Sequence, residues 1–195
     1  AGGGGYATAV VAAPTGVAAT DTANIQSAFA AITTAGGGTV VLREGTYVVN
    51  ATLTPGAKTT IKGQGKAATV IQAASTMGNL TLFNGGNGHV CVCDLTLDAN
   101  GTARGANGTV NDIVMGGDNP RMSNVKMINP FVFNTTTFFL SFTSSAGANF
   151  DGKGSGFMEH CEVIVDGGVF RSVKLGAIAG NPVSTYLGIA VVNNV

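Results

Sequence analysis

Two groups of residues carry side chains able to do acid–base or metal chemistry. Asp94, Asp98, Asp112 and Asp118 fall within twenty-five residues of one another. Brought to one side, Asp94 and Asp112 would make a carboxylate pair or a calcium site built from oxygen ligands. The alternative is that all four are turn aspartates that accept bonds from local backbone. The second group is Asp151, Lys153, Glu159, His160 and Asp166. Glu159 and His160 set an acid beside a base, but adjacent residues of a strand point to opposite faces, which argues against a dyad. The candidates for catalysis are therefore Asp94, Asp112, Asp118, Asp151, Lys153 and Glu159, with no role assigned to any. His89 reads as a partly buried or loop histidine without a special role. The glycines at 152, 154 and 156 suit a turn, and no helix or phosphate-loop pattern follows them.

Cys91, Cys93 and Cys161 are the three cysteines. Cys91 and Cys93 lie two apart in a strand-like run, so they face the same way and do not bridge easily. Their spacing is not that of a zinc site, and they read as buried small apolar residues.

Composition narrows what could position these groups. Charged residues make up 10% of the 195, against roughly 25% in an average soluble protein. The formal net charge is zero, and no basic patch interleaves with aromatics, which argues against a nucleic-acid partner. No apolar run approaches the ~20 residues of a membrane span. Thirty glycines, with many Asn and Thr, fit short β-branched strands joined by turns better than helices. Residues 1–19 contain no charged side chain and read as a flexible apolar arm. In that arm 6–11 could form a strand or lie on a neighbouring subunit. The opening residues lack a signal peptide's charged and apolar regions, as in a mature form or a piece of a longer chain.

One helix is predicted, over 21–34. Thr20, Asp21 or Thr22 can serve as its N-cap, with Gln26 completing a loose capping box. Ile25, Ala28, Phe29 and Ile32 fall on one face, and the glycines at 36–38 end it. Strand-like runs follow: Gly38-Thr39-Val40-Val41-Leu42, Gly45-Thr46-Tyr47, Thr60-Ile61-Lys62-Gly63-Gln64-Gly65 and Thr69-Val70-Ile71-Gln72. A weak repeat then aligns Cys93-Asp94-Leu95-Thr96-Leu97 with Ser123-Asn124-Val125-Lys126-Met127 and Cys161-Glu162-Val163-Ile164-Val165. Its spacings are 30 and 38 residues. The apolar pairs Leu95 and Leu97, Val125 and Met127, and Val163 and Val165 should share one core, with Asp94, Asn124 and Glu162 on the other face or at a bend. Seven of the ten phenylalanines lie in 131–157, as core stacking or as an aromatic lining. No amphipathic helix is readable after Leu175 to cover the last strands.

The helix, the Gly-Gly-Thr-Val strand, the Glu-Gly-Thr-Tyr turn and the Ile-x-Gly-x-Gly strand together resemble the start of the pectate-lyase-like β-helix superfamily. The resemblance is dense over about fifty residues. It implies an all-β, right-handed single-stranded parallel β-helix (a solenoid) over 20–195, with a short α-helix capping its N-terminal end. About six or seven coils would fit the length. Tailspikes, polysaccharide lyases, epimerases and polygalacturonases share this fold. The polygalacturonase signatures are not intact: Gly88-His89-Val90 matches one in part, and Arg171-Ser172-Val173-Lys174 another only if stretched. The resemblance thus implies an extracellular, secreted or virion-surface module, tailspike- or adhesin-like, recognising or assembling on polysaccharide. A secreted lyase, hydrolase or epimerase and a surface-filament subunit are the alternatives. No cofactor is evident, though calcium serves some lyases of the superfamily. A homo-oligomer, a trimer or a stack, is expected from the uncovered last strands, the apolar arm and the zero net charge.

Overall fold

The computed structural model describes residues 6–86, 88–104, 113–115, 120–129, 140–142, 157–164, 174–175 and 190–192. In chain order these form β1 (Ala7–Val10), α1 (Ala18–Thr34), β2 (Gly38–Val41), β3 (Gly45–Val49), β4 (Thr59–Lys62), β5 (Thr69–Ala73) and β6 (Phe83–Asn84). Then come β7 (Cys91–Asp98), the single turn α2 (Gly101–Arg104), β8 (Ile113–Val114), β9 (Arg121–Ile128), β10 (Leu140–Phe142), β11 (Phe157–Glu159), β12 (Glu162–Ile164), β13 (Lys174–Leu175) and β14 (Ala190–Val192). The strand pairs among them are parallel. The main sheet runs β1-β2-β4-β7-β9-β12-β14, with β3 on β5, β5 on β7 and β11 on β9. A second sheet runs β13-β10-β8-β6. The fold is all-β and predominantly parallel, as the resemblance implies. No helix among the described residues is long and apolar enough to cross a membrane.

Registry stacks the same kind of residue in each layer. Val40, Ile61, Val92 and Met122 are successive partners on neighbouring strands, and all are buried. Tyr47, Ile71, Leu97 and Met127 form a second buried column. Leu95 and Val125 face the core between the two. Each buried aliphatic side chain contributes about 1.5–3 kcal/mol, so each strand that joins these columns adds to stability. Tyr47 keeps its hydroxyl in this core because both its bonding roles are filled: it accepts from the Arg43 N–H and donates to the Ala12 carbonyl, each at 3.0 Å. Burial, more than any neighbouring charge, pushes its phenol above the ordinary value.

The alternation of inward and outward residues changes phase once in each long strand. Asp94 and Asn124 have φ of 57° and 53°, in the left-handed region. Val92 is buried before the bend, and Leu95 and Leu97 after it. Asp94 accepts a 2.8 Å bond from the side-chain amide of Asn124, which ties bend to bend. Gly63 lies against this bend without side-chain room: a Cβ there would sit 2.3 Å from the Asp94 carbonyl oxygen. That contact explains the first glycine of the Ile-x-Gly-x-Gly run.

α1 packs on β1, β2 and β3 through Ile25, Phe29 and Ile32, the face its spacing predicts. It begins at Ala18, and its N-cap is Val17, which supplies no side-chain bond. Asp21 is not the N-cap. It sits inside the first turn, fully buried, and its carboxylate reaches back to the loop. There it accepts from Thr15 N–H and hydroxyl at 2.8 Å each, and from Gly16 N–H at 3.3 Å. It also accepts from the Val48 N–H of β3 at 3.1 Å. Gln26 likewise completes no capping box, since its amide donates to the Thr52 carbonyl at 2.8 Å.

Two other expectations are corrected. The third copy of the repeat starts two residues earlier than its composition suggests, because Phe157 pairs with Arg121 and Glu162 with Lys126. His160, with φ of 52°, therefore holds the bend position that Asp94 and Asn124 hold, while Glu162 lies in a strand. Buried Cys161 takes the place of Leu95 and Val125. Cys91 and Cys93 are half-buried on the outward side of β7, not core residues. Val165, the 2–5 glycines and Phe131, Phe133, Phe138, Phe139 and Phe150 lie outside the described residues.

Val125 tests the register. Val125→Asp would bury an unpaired carboxylate in the column after the bend, at a cost on the order of 4 kcal/mol or more. Chemical denaturation should show this variant largely unfolded where Val125→Ile stays folded; equal midpoints would place residue 125 outside the core.

Candidate functional site

The outward face before the bend carries two rows of polar residues. One runs Thr60, Cys91, Arg121; the other runs Lys62, Cys93, Ser123. Partners in a row stand about 4.8 Å apart, the spacing of neighbouring strands. Lys62 and Arg121 are exposed, and Thr60, Cys91, Cys93 and Ser123 are half-buried. The rows continue on the register to Phe157 and Glu159 of β11. The N–H of Arg121 donates to the Val90 carbonyl at 2.9 Å, which seats β9 against the segment entering β7. There His89, with φ of 50°, turns out to the surface. His89, Val90, Cys91 and Arg121 line an open cleft of about 240 Å³.

Cationic and hydrogen-bonding groups thus share one face, with the two cysteines on its middle strand. A hydrogen bond with Cys91, then burial, pushes the Cys93 thiol well above its ordinary value, so it is protonated at neutral pH. None of the three cysteines is in a disulfide.

The carboxylates proposed from the sequence are placed unevenly. Asp94 is committed to the amide of Asn124, and its carbonyl accepts the Gly65 N–H at 2.8 Å. Asp98, facing out after the bend, accepts from the amides of Gln72 at 2.7 Å and Asn129 at 2.8 Å, and from the Asn100 N–H at 2.8 Å. Asp98 thus accepts one bond from local backbone, whereas the Asp94 carboxylate bonds a side chain of the neighbouring strand. Asp112, Asp118, Asp151, Lys153 and Asp166 lie outside the described residues. Glu159 falls on the register beside Ser123, in the row of Lys62 and Cys93. His160 is exposed at its bend, and its carbonyl accepts from Lys66 Nζ at 3.2 Å. Among the described residues no three His, Cys, Asp or Glu side chains converge as metal ligands.

Reading the sequence missed Arg121. The signal was present: Arg121 follows Cys91 by the same 30 residues that separate Cys93 from Ser123. Carrying the repeat two residues further back would have set it beside the thiols. Also unforeseen was Lys66, which pairs with Glu162 at 2.5 Å on the face after the bend. The Lys66 hydrogen bond holds the Glu162 carboxyl below its ordinary range, outweighing the opposing effect of burial.

A comparison with protein-family models matches residues 10–170 to the family described as rhamnogalacturonase A/epimerase, pectate lyase-like. No curated protein and no solved structure matches the chain.

The Lys66–Glu162 pair predicts a pH dependence. A lowered folded-state pKa means that its contribution is complete above the ordinary carboxylate value and lost as pH falls through the lowered one. Both partners are partly exposed, so the gain is small. Denaturant midpoints of the parent and Glu162→Gln should differ at neutral pH and converge in acid. A gap that widens in acid would reverse the assigned sign.

Proposed function

The chain belongs to the rhamnogalacturonase A/epimerase, pectate lyase-like family, and from that premise we propose that it is a polysaccharide-recognising module for acidic glycans. In this reading the parallel strands wind as a right-handed β-helix, and α1 caps its N-terminal end. The outward face of β4, β7 and β9 is the glycan platform. The observation that carries it is the pair of in-register rows holding Lys62 and Arg121 beside the open cleft at His89. An extended polysaccharide meets such a face along many short polar contacts. A guanidinium grips a uronate carboxylate with two parallel hydrogen bonds, and an ammonium adds a point charge. A tailspike- or adhesin-like role outside the cell or on a virion surface goes with a module that holds glycan.

Assembly belongs to the same proposal. β1 is the terminal strand of the main sheet among the described residues, and Tyr6 and Val10 beside that edge are 89% and 57% exposed. An open strand edge flanked by apolar side chains favours pairing with another chain, in a trimer or a stack.

A second reading, a secreted lyase, hydrolase or epimerase, draws on the position of Glu159. Its backbone pairs in register with Ser123, and a carboxylate is the kind of acid–base group that such chemistry needs.

Affinity electrophoresis separates these readings. The parent should be retarded in gels containing polygalacturonate and not in gels containing neutral dextran, while Arg121→Ala and Lys62→Ala should each weaken the retardation. Equal mobility in both gels would overturn acidic-glycan recognition. A rise in ultraviolet absorbance as the polymer is cut would put the lyase reading in its place.

A further inference from the structure

The two outward rows do not start at β4. On the register they continue back through β2 to β1, as Thr8, Thr39 and Thr60 in one row and Val10, Val41 and Lys62 in the other. Ala7 and Ala9 pack against the core, so Thr8 and Val10 face out. The same alternation of exposure carries Tyr6 to the outward side. Tyr6 is 89% exposed, so its ring stands almost wholly in water. The face described above as cationic thus begins, at its β1 end, with an aromatic ring and a run of hydroxyls.

A glycine lies beside that ring for a steric reason. Continuing the register one residue back sets Tyr6 opposite Gly37, and Gly37 opposite Lys58. A Cβ on Gly37 would sit 2.7 Å from the Lys58 Cβ. No side chain therefore separates Tyr6 from Lys58, whose strands lie two spacings, about 9.6 Å, apart. Lys58 is exposed, and its φ is 58°, in the left-handed region that a lysine rarely adopts. Its main chain is held on both sides, since its N–H donates to the Gly88 carbonyl at 3.2 Å and its carbonyl accepts from the Gly38 N–H at 2.9 Å. Residues fixed in that region collect at ligand clamps.

A uronate sugar has three unlike parts: a ring face of C–H bonds, a rim of hydroxyls and a carboxylate. An aromatic ring matches the first, a row of threonines the second and an ammonium the third. We propose that Tyr6 and Lys58, on either side of Gly37, form a subsite for one uronate residue at the β1 end of the platform. Tyr6 stacks on the sugar face, and Lys58 takes the carboxylate. The subsite rests on the acidic-glycan reading and extends the platform from β4 to β1. Pairing at the edge of β1 uses main-chain groups and leaves these side chains on the open face.

The test is calorimetric titration of the full chain with polygalacturonate. Tyr6→Ala should weaken binding about five- to tenfold, and Tyr6→Phe, which keeps the ring, should recover most of the loss. Lys58→Asn, which suits the left-handed backbone, should weaken binding as well. Salt should separate the two. In about 0.5 M salt, where exposed charges are screened, Lys58→Asn should approach the parent while Tyr6→Ala stays weaker. Val17→Ala, which trims an exposed apolar side chain at the start of α1, should bind as the parent does. The subsite alone is ruled out if Lys62→Ala weakens binding and Tyr6→Ala does not, or if the Tyr6→Ala loss also vanishes in salt. It is equally ruled out if light scattering shows that Tyr6→Ala changes the mass of the protein, which would put the ring between chains. A parent that binds no polygalacturonate overturns the acidic-glycan reading, and this subsite with it.

Discussion

Each long strand of the main sheet turns on one residue held in the left-handed region. An ordinary L-residue disfavours that conformation, and Asp and Asn tolerate it best because their short polar side chains bond locally. At Asp94 and Asn124 the cost is offset across the layers, since the amide of one donates to the carboxylate of the other. The bend resets the alternation of side chains, so Val92 and Leu95, three apart, both reach the core. Without that reset, residues 91, 93, 95 and 97 would share one face, so either Leu95 and Leu97 would meet water or Cys91 and Cys93 would turn into the core. Core and candidate site thus depend on the same turn of backbone.

The N-terminal end rests on a different buried carboxylate. Asp21 gathers the 15–16 loop, α1 and β3 with four hydrogen bonds. Each donor aimed at the buried carboxyl group replaces a water lost on folding. Removing it would leave those donors unpaired at the junction of helix and sheet, a cost of about 1–3 kcal/mol for each buried orphan.

Much of the architecture was legible because it is periodic. The face of α1, the stop at the 36–38 glycines and the inward positions of Leu95, Leu97, Val125 and Met127 follow from spacing alone. What escaped was phase. The third repeat was read two residues late because Cys161-Glu162-Val163 imitates the composition of Ser123-Asn124-Val125, while the true bend residue is a histidine. The same blindness put Cys91 and Cys93 in the core, since a run of small apolar letters does not reveal which side of a strand it faces. Asp21 looked like a cap because aspartate at a helix start usually is one; only the path of the 15–16 loop shows that its carboxylate folds backward. Arg121 went unnoticed because its meaning lies in its neighbours across the sheet.

Lys66 gives the stack a property that its strands alone would lack. In a layered array each strand touches the next, and stability is close to a sum of terms between adjacent layers. Lys66 leaves the loop between β4 and β5 and reaches Glu162 and the His160 carbonyl, past β7 and β9. That is a coupling between layers that are not adjacent, and partial exposure makes it sensitive to salt. Fraying at β12 is therefore felt in the 63–68 loop without first unzipping the strands between them, and a reporter placed in that loop would sense the far layer directly.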